Sequence, residues 1–161
     1  MSIYKKLLRF TFLMGIVFLI NACTLFKKKR GNKVGNQAVS IARGFIGTPY
    51  RNGGNSSSGI DCSGLIFQSY QPLGIKMPRI SWQQAETGKE IAIKEAVVGD
   101  LIFFITSKKS APSPINHAGI ISEVSKNELL FIHASSSKGV REDNLYTDYW
   151  LKAFVKIMRP F

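Results

Sequence analysis

Two cysteines and two histidines are all the chain holds of the side chains best suited to nucleophilic chemistry near neutral pH. Cys62 breaks off a glycine- and serine-rich run, GTPYRNGGNSSSGIDCSGLIFQSY (residues 47–70), and an apolar, helix-like segment follows at once. A thiol at the start of a helix faces unpaired N–H groups and the positive end of the macrodipole, which predicts a lowered pKa. Gly47, Gly53, Gly54 and Gly59 in the loop before it let backbone approach a ligand closely. His117 and His133 fall on neighbouring predicted strands whose turn, residues 125–128, returns them to one end, opposite each other within about two residues. An odd slip of that register would send the rings to opposite faces. On a shared face, one imidazole can take the thiol proton while the other holds its far nitrogen, the arrangement of acyl-transfer catalysis. The plainer alternatives are a small buried thiol and two histidines satisfied in a core or facing solvent. Zinc is a further reading of Cys, His and His, but the chain has neither a C-x-x-C pair nor closely spaced histidines.

The elements that must position these residues change character along the chain. Residues 36–47 place Ala38, Ile41, Ala42 and Phe45 at helical spacing and stop at a glycine. Residues 48–59 read as a loop. Residues 61–74 read as a helix with Asp61 as its N-cap, Leu65, Ile66, Ser69 and Tyr70 along one side, and Pro72 as its stop. A short helix is predicted over residues 81–87. After that the period becomes two, and strands are predicted over residues 100–107, 117–124, 128–135 and 153–160. Helices first and strands after them predict an α+β domain, its helices packed on an antiparallel sheet of about five to six strands.

The totals bound what surrounds that domain. The 161 residues suffice for one domain with a core, and 45% hydrophobic against 20% charged residues excludes a disordered or fibrous chain. The net charge of +12 sits mostly in residues 1–35, which carry eight basic residues and no acid; the remainder has fourteen basic against ten acidic. Lys5, Lys6 and Arg9 precede an apolar run, residues 10–22, that ends in small residues at Cys23. Thirteen helical residues span roughly 20 Å against a hydrocarbon core of about 30 Å, too short for a good membrane span. The run reads as an export signal, with an uncleaved anchor as the alternative. The basic stretch after it suits anionic headgroups or an anionic wall, and an exported chain meets little nucleic acid. Cys62 can find a disulfide partner only in Cys23, and without that pairing it is a reactive thiol.

GTPYRNGGNSSSGIDCSGLI, MPRISWQQ (residues 77–84), VGDLIFF (98–104), NHAGII (116–121) and FIHASSSKGV (131–140), in that order, resemble the NlpC family of bacterial cell-wall cysteine peptidases. The resemblance covers nearly all of residues 36–161 and implies a papain-like fold. It implies Cys62 as nucleophile, His117 as general base and His133 as the residue that orients it. Tyr50 would line the site and bond the oxyanion, with a core aromatic as the other reading; Asp61 and Ser63 would bind polar groups of the substrate, Asp61 serving equally as a helix cap. Arg79 and Gln84 would contact the peptide. Residues 20–23 (INAC) resemble a lipoprotein signal, giving a signal peptide over residues 1–22, a lipidated basic tether over 23–35 and the peptidase domain over 36–161. The implied substrate is the peptidoglycan stem peptide, cut between γ-D-glutamyl and diaminopimelate (or lysine), with no metal or organic cofactor. Alternatives are the D-alanyl–diaminopimelate cross-link, a related amidase or transacylase, and a non-catalytic wall-binding module. The implied location is the cell envelope, on the outer membrane where there is one, held through the N-terminal lipid.

Overall fold

The computed structural model describes residues 33–107 and 114–161. The predicted export segment, Cys23 and all but the last residues of the predicted basic tether lie outside the described residues. Helix α1 covers residues 33–43, and residues 34–161 make one compact unit. Ala38, Val39 and Ala42 bury its inner side. Gly35 rests directly on the turn before the first long strand: a Cβ there would stand 2.1 Å from the Val98 carbonyl oxygen.

The glycine- and serine-rich loop carries more order than its composition predicts. Strands β1 (Asn55–Ser56) and β2 (Gly59–Ile60) pair antiparallel as a miniature ribbon, and Tyr50 bridges Ile60 on its other side. Ile60 is fully buried and so pins the ribbon to the core. Helix α2, Cys62–Tyr70, follows, with Asp61 as N-cap accepting from the Gly64 N–H at 2.7 Å. Leu65, Ile66, Ser69 and Tyr70 are its buried side, as the spacing predicted. A 3-10 turn, Gln71–Leu73, contains Pro72 and closes at Gly74 in the left-handed region. Helix α3, Ser81–Gln84, is shorter than its predicted range.

Six strands form the main sheet: β3 (Lys89–Ile91), β4 (Leu101–Phe104), β5 (His117–Val124), β6 (Leu129–Ser135), β7 (Gly139–Asn144) and β8 (Phe154–Arg159). Their order is β3-β8-β4-β5-β6-β7, antiparallel throughout. On one face Leu101, Phe103, Ala118, Ile120, Ile132 and Ala134 pack with α1 and α2. The other face is also covered, because helix α4 (Asp148–Ala153) brings Trp150 and Ala153 onto Ile102, Phe104, Ile121 and Phe131. Burial on both faces is why β4 reads LIFF without a polar partner at alternate positions.

The hairpin register is decided by one irregularity. Near the turn, Val124 lies opposite Leu129 and Glu123 opposite Leu130; beyond it, Ile121 lies opposite Phe131 and Ile120 opposite Ile132. Ser122 is the extra residue, a β-bulge. Extrapolated from the turn without it, the offset between His117 and His133 is odd and their rings part. With it, the offset is even and both rings lie on the α4 face.

Candidate active site

The thiol side of the site is built from residues close in sequence. Asp61 caps α2 and accepts a second backbone bond from the Gly53 N–H at 2.8 Å, closing the glycine loop onto the helix start. Arg79 grips it: Nη1 reaches Asp61 Oδ1 and Ser63 Oγ at 2.8 Å each, while Nη2 reaches the Gly54 carbonyl at 2.7 Å and Asp61 Oδ2 at 3.1 Å. Burial opposes ionisation of Asp61, but the bonds from Arg79, Gly64 and Gly53 outweigh it and hold its carboxyl below the usual range. Cys62 is 8% exposed and lines a polar cleft of about 380 Å³ with Tyr50, Asp61, Ser63, Arg79 and Asn116. Burial pushes its thiol up to about 11, with the Asp61 charge adding to the rise; N–H groups of Ala118, Ser63 and Cys62 itself pull the other way. The lowered thiol pKa predicted from the helix start is therefore not what the structure holds: desolvation and an adjacent carboxylate outweigh the helix terminus.

The imidazole side is built from three strands and a helix. His117 Nε2 and His133 Nδ1 stand 2.9 Å apart, and His133 Nε2 stands 2.9 Å from Asp143 Oδ2 on β7. Arg141 holds the other carboxylate oxygen of Asp143 at 2.6 Å. Trp150 stacks on His117 with centroids 5.6 Å apart and meets His133 edge-on at 4.9 Å; Phe104 and Phe131 close the cage. Gly119 lies between the two rings on this face, where a Cβ would stand 2.7 Å from the Phe131 ring. Burial holds His117 down at about 3, coupling to His133 adding to this and Asp143 opposing it. Burial also lowers His133, against the pull of Asp143.

Two neutral imidazoles in series have only one consistent proton arrangement. Asp143 can only accept, so His133 donates from Nε2 and accepts at Nδ1; His117 must then donate from Nε2. That leaves His117 Nδ1 with its lone pair, a base. The sulfur reaches the start of β5 next to this base in sequence: the β5–β6 ladder ends at Ile120 opposite Ile132, and the Ala118 N–H beyond it points at the Cys62 sulfur. Among the described residues no hydrogen bond joins the thiol to the imidazole in this resting, neutral state.

Comparison with known proteins decides the family of the chain. Residues 47–159 match the NlpC/P60 family. The chain belongs to the NlpC/P60 family. It is 33% identical over 160 residues to the "Probable endopeptidase NlpC" of Escherichia coli K12, covering 94% of this chain and 99% of that relative. It is 37% identical over 123 residues to the "Gamma-DL-glutamyl hydrolase" of Bacillus subtilis 168, covering 75% of this chain but only 28% of that one. A Staphylococcus aureus structure described as similar to lipoprotein, NLP/P60 family, superposes with a TM-score of 0.69 at 32% identity, over 81% of this chain and 42% of that one. The chain is thus a cysteine peptidase of the NlpC/P60 family, with helices on an antiparallel sheet as in its solved relatives.

Within this NlpC/P60 domain, Tyr50, Asp61, Ser63 and Arg79 line the cleft with Cys62. Burial raises the Tyr50 pKa, the Cys62 and Asp61 charges adding to it, so its hydroxyl is held as a donor. Gln84 is elsewhere. It is fully buried, and its Nε2 donates to the Ser63 and Pro78 carbonyls at 3.0 and 2.7 Å, which braces the helix start from behind, while its Oε1 is buried without a hydrogen-bond partner among the described residues. Asp143, Arg141 and Trp150 were missed in the sequence. β7 reads GVREDN, without apolar alternation, as edge strands often do. The readable signal was Trp150, a large aromatic after an acidic turn; nothing local tied Asp143 to His133.

Proposed function

We propose that this peptidase hydrolyses peptidoglycan stem peptides at the bond between γ-D-glutamyl and diaminopimelate (or lysine), using Cys62, His117 and His133. The observation that carries the reading is the single proton order imposed by Asp143, which leaves a half-buried, neutral base on the strand that the thiol touches. His117 Nδ1 takes the Cys62 proton as the sulfur attacks the carbonyl. The oxyanion is met by N–H groups at the start of α2, with the Tyr50 hydroxyl beside them. The carbonyl–nitrogen bond breaks, His117 returns the proton to the departing amine, and the acyl half stays on sulfur as a thioester. Water, deprotonated by His117, then releases it as a carboxylic acid and restores the thiol. Asp61, Ser63 and Arg79 present the polar wall that receives the half bound to sulfur.

The whole-length likeness to a relative named an endopeptidase supports the reaction class, and the one named a γ-DL-glutamyl hydrolase supports the bond. The N-terminal pattern ending at Cys23 supports export and lipid attachment at the envelope, a location that suits a wall substrate. The test is mass spectrometry of defined muropeptides treated with the protein beside its Cys62→Ala variant. A new γ-D-glutamyl carboxyl terminus with the parent alone is expected. Cleavage at a D-alanyl bond, or equal cleavage by both proteins, would reject the reading.

A further inference from the structure

Helix α4 is six residues long, yet it sends one large side chain against the base: Trp150, only 8% exposed. Its ring lies nearly parallel to that of His117, with 19° between the planes and 5.6 Å between centroids. Its other ring contacts among the described residues are tilted or edge-on: Phe104 at 4.7 Å and 53°, Phe131 at 5.0 Å and 90°, His133 at 4.9 Å and 75°, and the exposed Tyr149 at 4.8 Å and 77°. Rings that cross the indole therefore fix it, and the ring it parallels is the one that must change charge.

We propose that Trp150 is a positioning residue of the reaction, whose indole face stabilises the imidazolium that His117 becomes when it takes the Cys62 proton. The inference rests on the peptidase reading above, which assigns that proton transfer to His117. The S–H bond of Cys62 breaks as an N–H bond forms at His117 Nδ1, so the pair becomes thiolate and imidazolium with no change in total charge. Under a neutral imidazole the indole is ordinary packing. Under a cation it is more, because the face of an aromatic ring carries the negative part of its quadrupole and attracts a cation within about 6 Å of the centroid. The other charges near the ring offer it less. His133 on β6 stands at Nε2 as a neutral ring; Asp143 on β7 is one ring further back and already paired with Arg141; Asp61 at the start of α2 is held by Arg79. The new thiolate on α2 is the remaining partner, and it leaves the pair when it attacks the carbonyl. From then until the amine departs, the imidazolium keeps the indole.

The experiment weakens the indole face while leaving the shape of the ring almost unchanged. The chain has two tryptophans, so a Trp82→Phe background leaves Trp150 alone to be replaced by analogues bearing one to four ring fluorines. Two rates are followed across the series. Alkylation of Cys62 by iodoacetamide at pH 7, mapped by peptide mass spectrometry, needs the thiol and its base but no substrate; cleavage of defined muropeptides needs the whole reaction. Both rates should fall with each added fluorine, by about tenfold over the series and within the roughly twofold to thirtyfold range of a cation–π contact, while KM stays constant. Trp150→Leu, which fills space without a π face, should fall about as far as the fully fluorinated protein, and Trp150→Phe less far. Graded alkylation without cleavage of any muropeptide would uphold the role of Trp150 and reject the peptidase reading. Alkylation indifferent to fluorine, whether or not muropeptides are cut, would overturn the role and leave the indole as packing.

Discussion

Two aspartate–arginine pairs flank the site, and they do opposite work. Asp61 and Arg79, 2.8 Å apart, sit at the helix start beside the thiol; Asp143 and Arg141, 2.6 Å apart, sit on the edge strand behind the imidazoles. Asp61 spends its oxygens on the backbone N–H groups of Gly53 and Gly64, so it is mainly an anchor for loop and helix. Its charge also stands against ionisation of the sulfur. Asp143 bonds a side chain, His133, and through it orders the protons on both rings. The same pairing of chemical groups thus builds a scaffold on one flank and sets a tautomer on the other. What differs is the third partner: a peptide N–H has one protonation state, whereas an imidazole has a choice.

The sharpest way to break the comparison is to neutralise each aspartate without changing its shape. Asp143→Asn offers His133 an amide that can donate as well as accept, which releases the proton order; kcat should fall on the order of 10³-fold, with KM little changed, if the tautomer is its task. A loss confined to KM, or within threefold, would make Asp143 a structural residue only. Asp61→Asn should retain the helix cap, because asparagine caps as well as aspartate. It should lower the thiol pKa by removing the adjacent charge. The rate of Cys62 alkylation by iodoacetamide at pH 8 should therefore rise relative to the parent, and a fall would contradict the role given to that carboxylate.

The smallest effect concerns stability towards acid. His117 stays neutral in the fold down to about 3, while an unfolded imidazole protonates near 6.5. Between those values the unfolded chain binds more protons, so stability is complete above the unfolded value and is lost as pH falls. Each such imidazole contributes up to about 1.4 kcal/mol per pH unit. Asp61, its carboxyl held low, acts in the same direction at more acid pH. Urea midpoints at pH 7 and pH 5 should differ accordingly, and His117→Asn should shrink the difference; an unchanged difference would mean that this ring is not the buried neutral group.

The aspartates also mark where sequence reading reached and where it stopped. Asp61 was legible because a cap is a local event: an aspartate, three residues and a helix pattern suffice to name it. Cys62, the side of α2 it heads, and both histidines were legible for similar reasons, as were the four central strands. Asp143 was not, because its partner lies ten residues back across a turn, on a strand whose polar composition gives no period. The placement of Gln84 was hidden for the converse reason. A glutamine near a site is polar in the sequence, and only packing reveals that it is fully buried with its Nε2 on the carbonyls of Ser63 and Pro78.

By itself, the order of residue types determined that a lone thiol would head a helix, that two imidazoles would share a hairpin, and that helices would pack on an antiparallel sheet. Local propensity and side-chain period decide such things within a few residues. Whether the imidazoles faced each other was decided elsewhere, by Ser122. One unpaired residue in the ladder changes an odd offset to an even one, and side chains alternate with a period of two, so that single step turns a ring from one face of the sheet to the other. The proton order likewise needed Asp143 from a third strand and the aromatic cage that keeps water away. Those are long-range contacts, and only the folded chain brings them into reach.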